Sequence, residues 1–457
     1  MSLWSALKNS NIVANMEEAF GAKDITSLEM KAAIEEWGYL YFEDKACKDG
    51  DPALRLPVAI VGKLYKTVFS EYIATLTKQS DFFGGVLRGI ERVQKKAMQF
   101  ALIGGEVFVK PVISGGKIDF VVIRRDNFVP FARDVYGKIT SVGTMERTSE
   151  RGRFYTLLER RTVMDTGELV IQNQLYSSTT EDVLGNRVAL STLARYAEIA
   201  EEIRLPGVYN LGMVQLRTPN VNTVDGSEDS VSVYDAAKGL IRNANHNQAL
   251  LGAEFDNGKS LLIGSADMIA TDQFGRKSIP DSLFVGIDDN ISDTGVTIFN
   301  PTLREASYLA REQNLLKAAE NLIGLKRGIL SDVEAAERTA TEITSSAGDY
   351  NLTIQDFQQA WEDAFRELLA TCQVLGKLYQ LTSDTINPEK DVVVDWGDGV
   401  LYNRDKVNQE MLMQVQSGLL APERYLAWYY ALPCETEADR AKIRADYMPK
   451  MEQLLQE

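Results

Sequence analysis

From residue 56 the apolar positions Val58, Val61, Leu64, Tyr65, Val68, Phe69, Tyr72, Ile73 and Leu76 recur at steps of three and four. That is the spacing of one face of an α-helix and predicts a buried helix over 56–76. Upstream, Thr26 and Ser27 offer an N-cap for a helix over 28–37. A further helix over 82–102 should stop at Gly104-Gly105, because glycine accepts the left-handed conformation that ends helices.

At residue 106 the period changes to two. Segments 106–113, 117–125, 138–148, 153–164 and 167–177 alternate apolar and polar positions, with turn signals at Gly115-Gly116, 134–137, Gly152 and 165–167. Short turns between sequential strands predict an antiparallel meander. The pairs Arg124-Arg125 and Arg160-Arg161 read as solvated strand ends. A linker rich in Pro, Asn, Gly and Ser follows over 218–230.

Helical spacing returns over 230–256. Its polar side carries Lys238, Arg242 and His246 four residues apart, in line along one face. Short strands over 259–263, 283–287 and 297–299 predict a β-rich insertion, and a helix of about 25 residues, about 37 Å long, follows it. A polar stretch without a clean period then feeds a strongly amphipathic helix through Ile354, Phe357, Trp361, Phe365, Leu368, Cys372, Leu375 and Tyr379. A strand over 391–396 and helices over 405–417 and 422–431 end the pattern, and no repeat of 20–50 residues is present. The class is α+β.

Composition narrows the chemistry. The chain has 457 residues, with 65 Asp+Glu against 49 Lys+Arg, a formal net charge of −16. From residue 346 onward 19 acids face 10 bases. Such a balance opposes a surface coated with phosphate contacts. Cys47, Cys372 and Cys434 lie far apart, so neither a disulfide framework nor a cysteine zinc site is indicated. The single histidine, His246, excludes multi-His metal motifs. No basic leader with an apolar core begins the chain, and no apolar run reaches the ~18 residues of a membrane span. A soluble protein of a reducing cytoplasm, with no membrane partner, is expected.

No phosphate-cradling GxxxxGK[ST], no GxGxxG after a strand and no GxSxG occurs. The carboxylates nearest to a two-metal arrangement are Asp288-Asp289 and Asp395 with Asp398, and neither pair has a third acid at helical or strand spacing. Asp398 lies between Gly397 and Gly399, as in a turn. The expectation is a non-enzymatic protein with no catalytic residue, metal site or cofactor. A metal-dependent DNA-processing enzyme built on those four aspartates is the alternative of another class.

Residues 324–346, GLKRGILSDVEAAERTATEITSS, carry a Gly-Leu, a variable acidic stretch and then Thr339-Ala340-Thr341-Glu342-Ile343 leading into the long amphipathic helix. This resembles the portal, or head-to-tail connector, proteins of tailed bacteriophages, in particular siphophages of Gram-positive hosts. Other pieces agree in order. Residues 155–178, Leu184-Gly185 and 188–191 resemble that family's outer β region, and 219–222 with 227–235 resemble its approach to the first stem helix. Asn300-Pro301-Thr302-Leu303-Arg304 precedes the second, and 395–398 followed by Ser417-Gly418-Leu419-Leu420 resembles its C-terminal region. The likeness covers about 150–430 and rests on the collinear set, TATE[IV] before a helix being its most specific piece.

The resemblance implies a portal-like architecture: a helical and antiparallel-β wing (1–229), a two-helix stem (230–256 and 304–326) and a small β-containing clip (257–303). A channel loop (327–352), then a long upper channel helix with a C-terminal crown (353–457), complete it. It implies a closed ring of about twelve copies at one capsid vertex of the virion, with double-stranded DNA passing through the channel during packaging and ejection. The implied partners are the terminase large subunit, a head-tail adaptor, and the major capsid and scaffolding proteins. A capsid adaptor without a DNA channel is the nearest rival.

A conduit must let DNA slide. Each cation that pairs with phosphate adds affinity through counterion release, so an acidic wall with few inward cations suits the task. At about 0.15 M salt its field reaches only ~8 Å. Lys238, Arg242, Lys326, Arg327 and Arg338 are the candidates to steady the strand. Each could instead bridge to a neighbouring subunit, where Glu305, Glu312, Glu334, Glu337 and Glu342 are the acidic candidates for the interface or the channel.

Overall fold

Helices α1 (Ser10–Phe20), α2 (Leu28–Phe42) and α3 (Leu56–Val68) open the chain. In α3, Pro57 occupies the first turn, where its missing N–H costs nothing. Its buried stripe is Leu56, Ile60, Val61, Leu64 and Val68. The apolar period runs on past 68, but the helix does not. Residues Ile73–Leu76 form strand β1 instead, short and rich in residues that suit a pleated surface. Helix α4 (Asp81–Gly104) is N-capped by Ser80, whose side chain accepts a hydrogen bond from the Phe83 N–H. It ends at Gly105, with φ +85°, where a Cβ would stand 2.2 Å from the Ser230 carbonyl oxygen. Only glycine fits that turn.

The computed structural model describes residues 10–42, 53–181, 183–258, 261–265, 284–287, 297–299, 302–332, 340–397, 404–430, 434 and 437–448. Two units divide the chain, 1–395 and 396–457.

The expected single meander is two sheets. Strands β2 (Glu106–Ser114) and β3 (Lys117–Arg124) form a hairpin. Strand β4 (Phe128–Arg133) starts the second sheet and is followed by β5 (Ile139–Glu150), β6 (Arg153–Met164), β7 (Glu168–Ser178) and β8 (Asn186–Val188) in sequential order. Strand β9 (Glu202–Pro206) also pairs with β7, and β10 (Val214–Arg217) returns to pair with β2 in the first sheet. The division falls at the 3-10 turn Arg125–Asn127.

That turn also corrects the reading of the arginine pairs as solvated ends. Arg124 and Arg125 are buried, and so is Arg161, which lies within β6. Each has a carboxylate. Arg124 pairs with Asp126, Arg125 reaches Glu106 at 3.2 Å, and Arg161 meets Glu159 at 2.7 Å. Glu159 also holds Lys110 at 2.8 Å. Burial alone would raise the Glu159 carboxyl, yet Arg161 and Lys110 hold it down to about 2. Buried charge is tolerated here because it is paired and hydrogen-bonded.

Helix α5 (Lys238–Asn257) begins eight residues later than the apolar pattern places it. Residues 231–233 are already committed elsewhere: the Val233 N–H and the Ser232 hydroxyl both donate to the Leu102 carbonyl, and the Thr218 hydroxyl donates to the Val231 carbonyl. The β-rich insertion holds β11 (Leu261–Ser265), β12 (Phe284–Ile287) and β13 (Thr297–Phe299). Strand β11 pairs parallel to β12 and antiparallel to β13. Helix α6 (Glu305–Ile323) follows, then α7 (Ala340–Leu378) and β14 (Val392–Asp395), which pairs antiparallel with β1. Helix α7 is longer than expected. Residues 340–352, read as part of a channel loop, are its first turns. Its apolar face is as the spacing predicts, with Ile354, Phe357, Trp361, Phe365, Leu368, Cys372 and Leu375 buried, whereas Tyr379, past the helix end, is half exposed. The Trp361 ring meets Phe69 edge-on at 5.3 Å.

The second unit contains α8 (Arg404–Gln416), α9 (Pro422–Tyr430) and α10 (Glu437–Tyr447). Within it Arg444 pairs with Glu423 at 3.0 Å, and the Tyr425 hydroxyl reaches Asn408 at 2.8 Å. Across the described residues the architecture is mixed helix and sheet, with mostly antiparallel pairing. No helix among them is long and apolar enough to cross a membrane.

Candidate functional site

Helices α5 and α6 form an antiparallel hairpin about 30 Å long. The direction follows from two contacts: Asn247 donates to the Tyr308 carbonyl at 2.9 Å, while seven residues further along α5 Glu254 meets Arg304 at 2.8 Å. The hydrogen-bonded Arg304 holds the Glu254 carboxyl below its usual range, and Glu254 holds Arg304 up in return. At the same end a Cβ on Gly258 would collide with Leu303, 2.2 Å away. The β-rich insertion therefore leaves and rejoins the hairpin through adjacent points.

Burial is uneven along the pair. Helix α6 buries Leu316, Ala319, Glu320 and Ile323, all in its second half. Helix α5 buries Ile241, Ala244, Asn245, Asn247 and Leu251. Phe255, Leu309 and Leu322 stay more than half exposed.

Two of the candidate cations are neutralised inside the chain. Lys238 pairs with Asp235 at 2.9 Å, and Arg242 pairs with Glu36 of α2 at 2.6 Å. The polar line along α5 thus meets α2 at Glu36. Asp235 is itself held by the Trp37 indole N–H at 2.8 Å, and the Tyr234 hydroxyl donates to the Trp37 carbonyl at 2.7 Å. Helix α2 therefore anchors the start of α5. His246 is exposed on the same helix.

Lys326 and Arg327 differ. They follow α6, Lys326 half-buried and Arg327 exposed, and neither forms an ion pair among the described residues. Arg338, Glu334 and Glu337 lie outside the described residues. Glu305 is exposed in the first turn of α6, where the helix dipole favours an acid. Glu312 is half-buried, and Glu342 lies in the first turn of α7.

The residue that the sequence reading missed is Glu320, which has no exposed surface. One carboxylate oxygen accepts from the N–H groups of Gly328, Leu330 and Ser331 at 3.1, 2.6 and 3.0 Å. The other accepts from the Ser331 hydroxyl at 2.7 Å. Two turns earlier on the same face, the Gln313 side chain accepts from the Asp332 N–H at 2.8 Å. The signal was present: an acid among Leu316, Ala319 and Ile323 interrupts an apolar face and needs partners.

Of the four aspartates considered for a two-metal site, Asp288, Asp289 and Asp398 lie outside the described residues. Asp395 ends β14 opposite Ile73. Among the described residues no group of three or more His, Cys, Asp or Glu side chains could hold a metal ion. The chain matches no protein-family model and no curated protein.

Proposed function

We propose that this chain is one subunit of a bacteriophage portal, a ring at one capsid vertex through which double-stranded DNA is packaged and ejected, and that it acts by shape and charge without catalysing a reaction. The observation that carries this reading is the antiparallel α5–α6 hairpin, which holds a small β-sheet between its helices at one end and is followed by the 39-residue helix α7. Three further features support it. The hairpin exposes Phe255, Leu309 and Leu322, large apolar side chains that neighbours in a ring would cover. Lys238 and Arg242 are paired within the chain, which leaves few cations to grip a polyanion. The net charge of −16 favours sliding over binding.

In this reading α5 and α6 are the stem, and the sheet β12-β11-β13 is the clip that meets the terminase large subunit during packaging and a head-tail adaptor afterwards. The wing sheets face the major capsid and scaffolding proteins. Electron microscopy of the purified full-length chain is the test. Rings with an open centre wide enough for a B-form duplex are expected. Monomers or dimers at every concentration would overturn the proposal, and a closed-centred ring would favour an adaptor instead.

A further inference from the structure

We infer that Glu320 is a positioning residue: it fixes the turn after α6 so that Lys326 and Arg327 are presented together as a phosphate-contacting pair, one pair per subunit. The inference rests on the portal reading and assigns the cations within it that touch DNA.

The chain after α6 does not leave freely. Gly324, with φ +75°, ends the helix, and the Leu325 N–H donates back to the Glu320 carbonyl at 2.8 Å. The backbone then turns through Lys326 and Arg327, closed by a hydrogen bond from the Ile329 N–H to the Lys326 carbonyl at 3.3 Å. From Gly328 to Asp332 it runs back along α6, fastened first by Glu320 and then by Gln313. Both acceptors lie on one face of α6, so they act as two rungs that hold a returning strand. Lys326 and Arg327 lie at the apex between the helix end and the first rung.

Three of the four donors to Glu320 are backbone N–H groups, an arrangement that stabilises an anion without a cation. Among the described residues Glu320 is met by N–H and O–H donors and not by a cation, so its charge is satisfied without drawing on the neighbouring Lys326 and Arg327. They also follow the C-terminal end of a helix, where the dipole favours positive charge. Fixing the apex removes backbone freedom that two long side chains would otherwise lose on meeting a phosphate. Of the candidate cations the structure describes, this is the pair not answered by a carboxylate among the described residues.

The test uses the full-length protein in four forms: wild type, Lys326→Ala/Arg327→Ala, Glu320→Ala and Glu320→Gln. Ring formation is scored by electron microscopy, and binding of linear double-stranded DNA is followed as salt is raised. Amide hydrogen exchange is read at 328–331. The double alanine variant should keep its rings and flatten the salt slope by about 1 for each cation that leaves a phosphate. Glu320→Ala should flatten the slope similarly with both cations present, and speed exchange at Gly328, Leu330 and Ser331. Glu320→Gln keeps an oxygen for the same N–H groups and should restore both readouts. Ser331→Ala, which removes one donor and no backbone bond, is the milder variant should Glu320→Ala fail to fold, and should shift both in the same direction by less. Rings with an unchanged salt slope in the double alanine variant, or in Glu320→Ala with accelerated exchange, would overturn this inference alone. A wild-type chain that forms no rings would overturn the portal reading and this inference with it.

Discussion

In the six-stranded sheet, Glu159 is buried between Lys110 and Arg161, whereas on the hairpin Glu254 and Arg304 meet at the surface. The first arrangement leaves no freedom, because every buried charge must find its partner for the strands to register. The second is solvated and contributes little by itself. Apolar side chains follow the same division. The sheets enclose clusters such as Phe108, Phe128, Val142 and Met213, and the hairpin leaves Phe255 and Leu309 facing water. One region encloses its charges and apolar side chains, and the other leaves part of both exposed, which is where the proposed ring would place its neighbours.

The largest expected effect tests the self-contained side. Trp361→Ala should destabilise the first unit by about 3–5 kcal/mol, since its ring is fully buried against Phe69. An unchanged denaturation midpoint would show that α7 is not held by this face. Acid should come next. Glu159 is held down to about 2 in the folded chain, against an ordinary glutamate value of about 4.3 when unfolded. Because the folded value is the lower one, the stabilisation is complete above about pH 4.3 and is lost as the pH falls toward 2. It is on the order of 3 kcal/mol at neutral pH. Melting curves between pH 5 and 2.5 should fall steeply for the wild type and less steeply for Glu159→Gln, which starts lower because Arg161 and Lys110 lose their counter-charge. Parallel curves would mean that this triad does not govern the acid limb.

A smaller loss is expected where the two regions join. Asp235→Ala removes the acceptor of both the Trp37 indole and Lys238, which should cost about 1–3 kcal/mol in thermal unfolding. The smallest effect on stability sharpens the comparison most. Leu309→Ser should change monomer stability by no more than about 0.5 kcal/mol, yet diminish ring assembly in electron micrographs. Loss of stability instead would show that Leu309 belongs to the chain's own core.

Much of this was legible from spacing. The period of α4, the buried face of α7 and the three short strands of the insertion follow from local pattern. What failed depended on distant partners. Strand β1 was read as helix because Ile73 and Leu76 continue the step of three and four, and only pairing with Val392–Asp395 makes them extended. Strand β4 was missed because Phe128, Val129, Pro130 and Phe131 are buried in succession, without alternation. Arg125 was assigned to solvent since its acids, Glu106 and Asp229, are remote in sequence. At the candidate site the two helices were visible, but the neutralisation of Arg242 was not, as Glu36 lies about 200 residues away, whereas the Asp235 partner of Lys238 lies only three residues before it. Glu320 could have been found by asking what an acid does on an apolar stripe.

The close approach of Gly258 and Leu303, too tight for a Cβ on the glycine, has an engineering consequence. A segment whose two attachment points touch can be treated as a cassette, because grafting a longer or different sequence between them leaves the supporting helices where they are. On the portal reading proposed above, exchange of that module between related chains would retarget the end assigned to docking while the remaining scaffold kept its form.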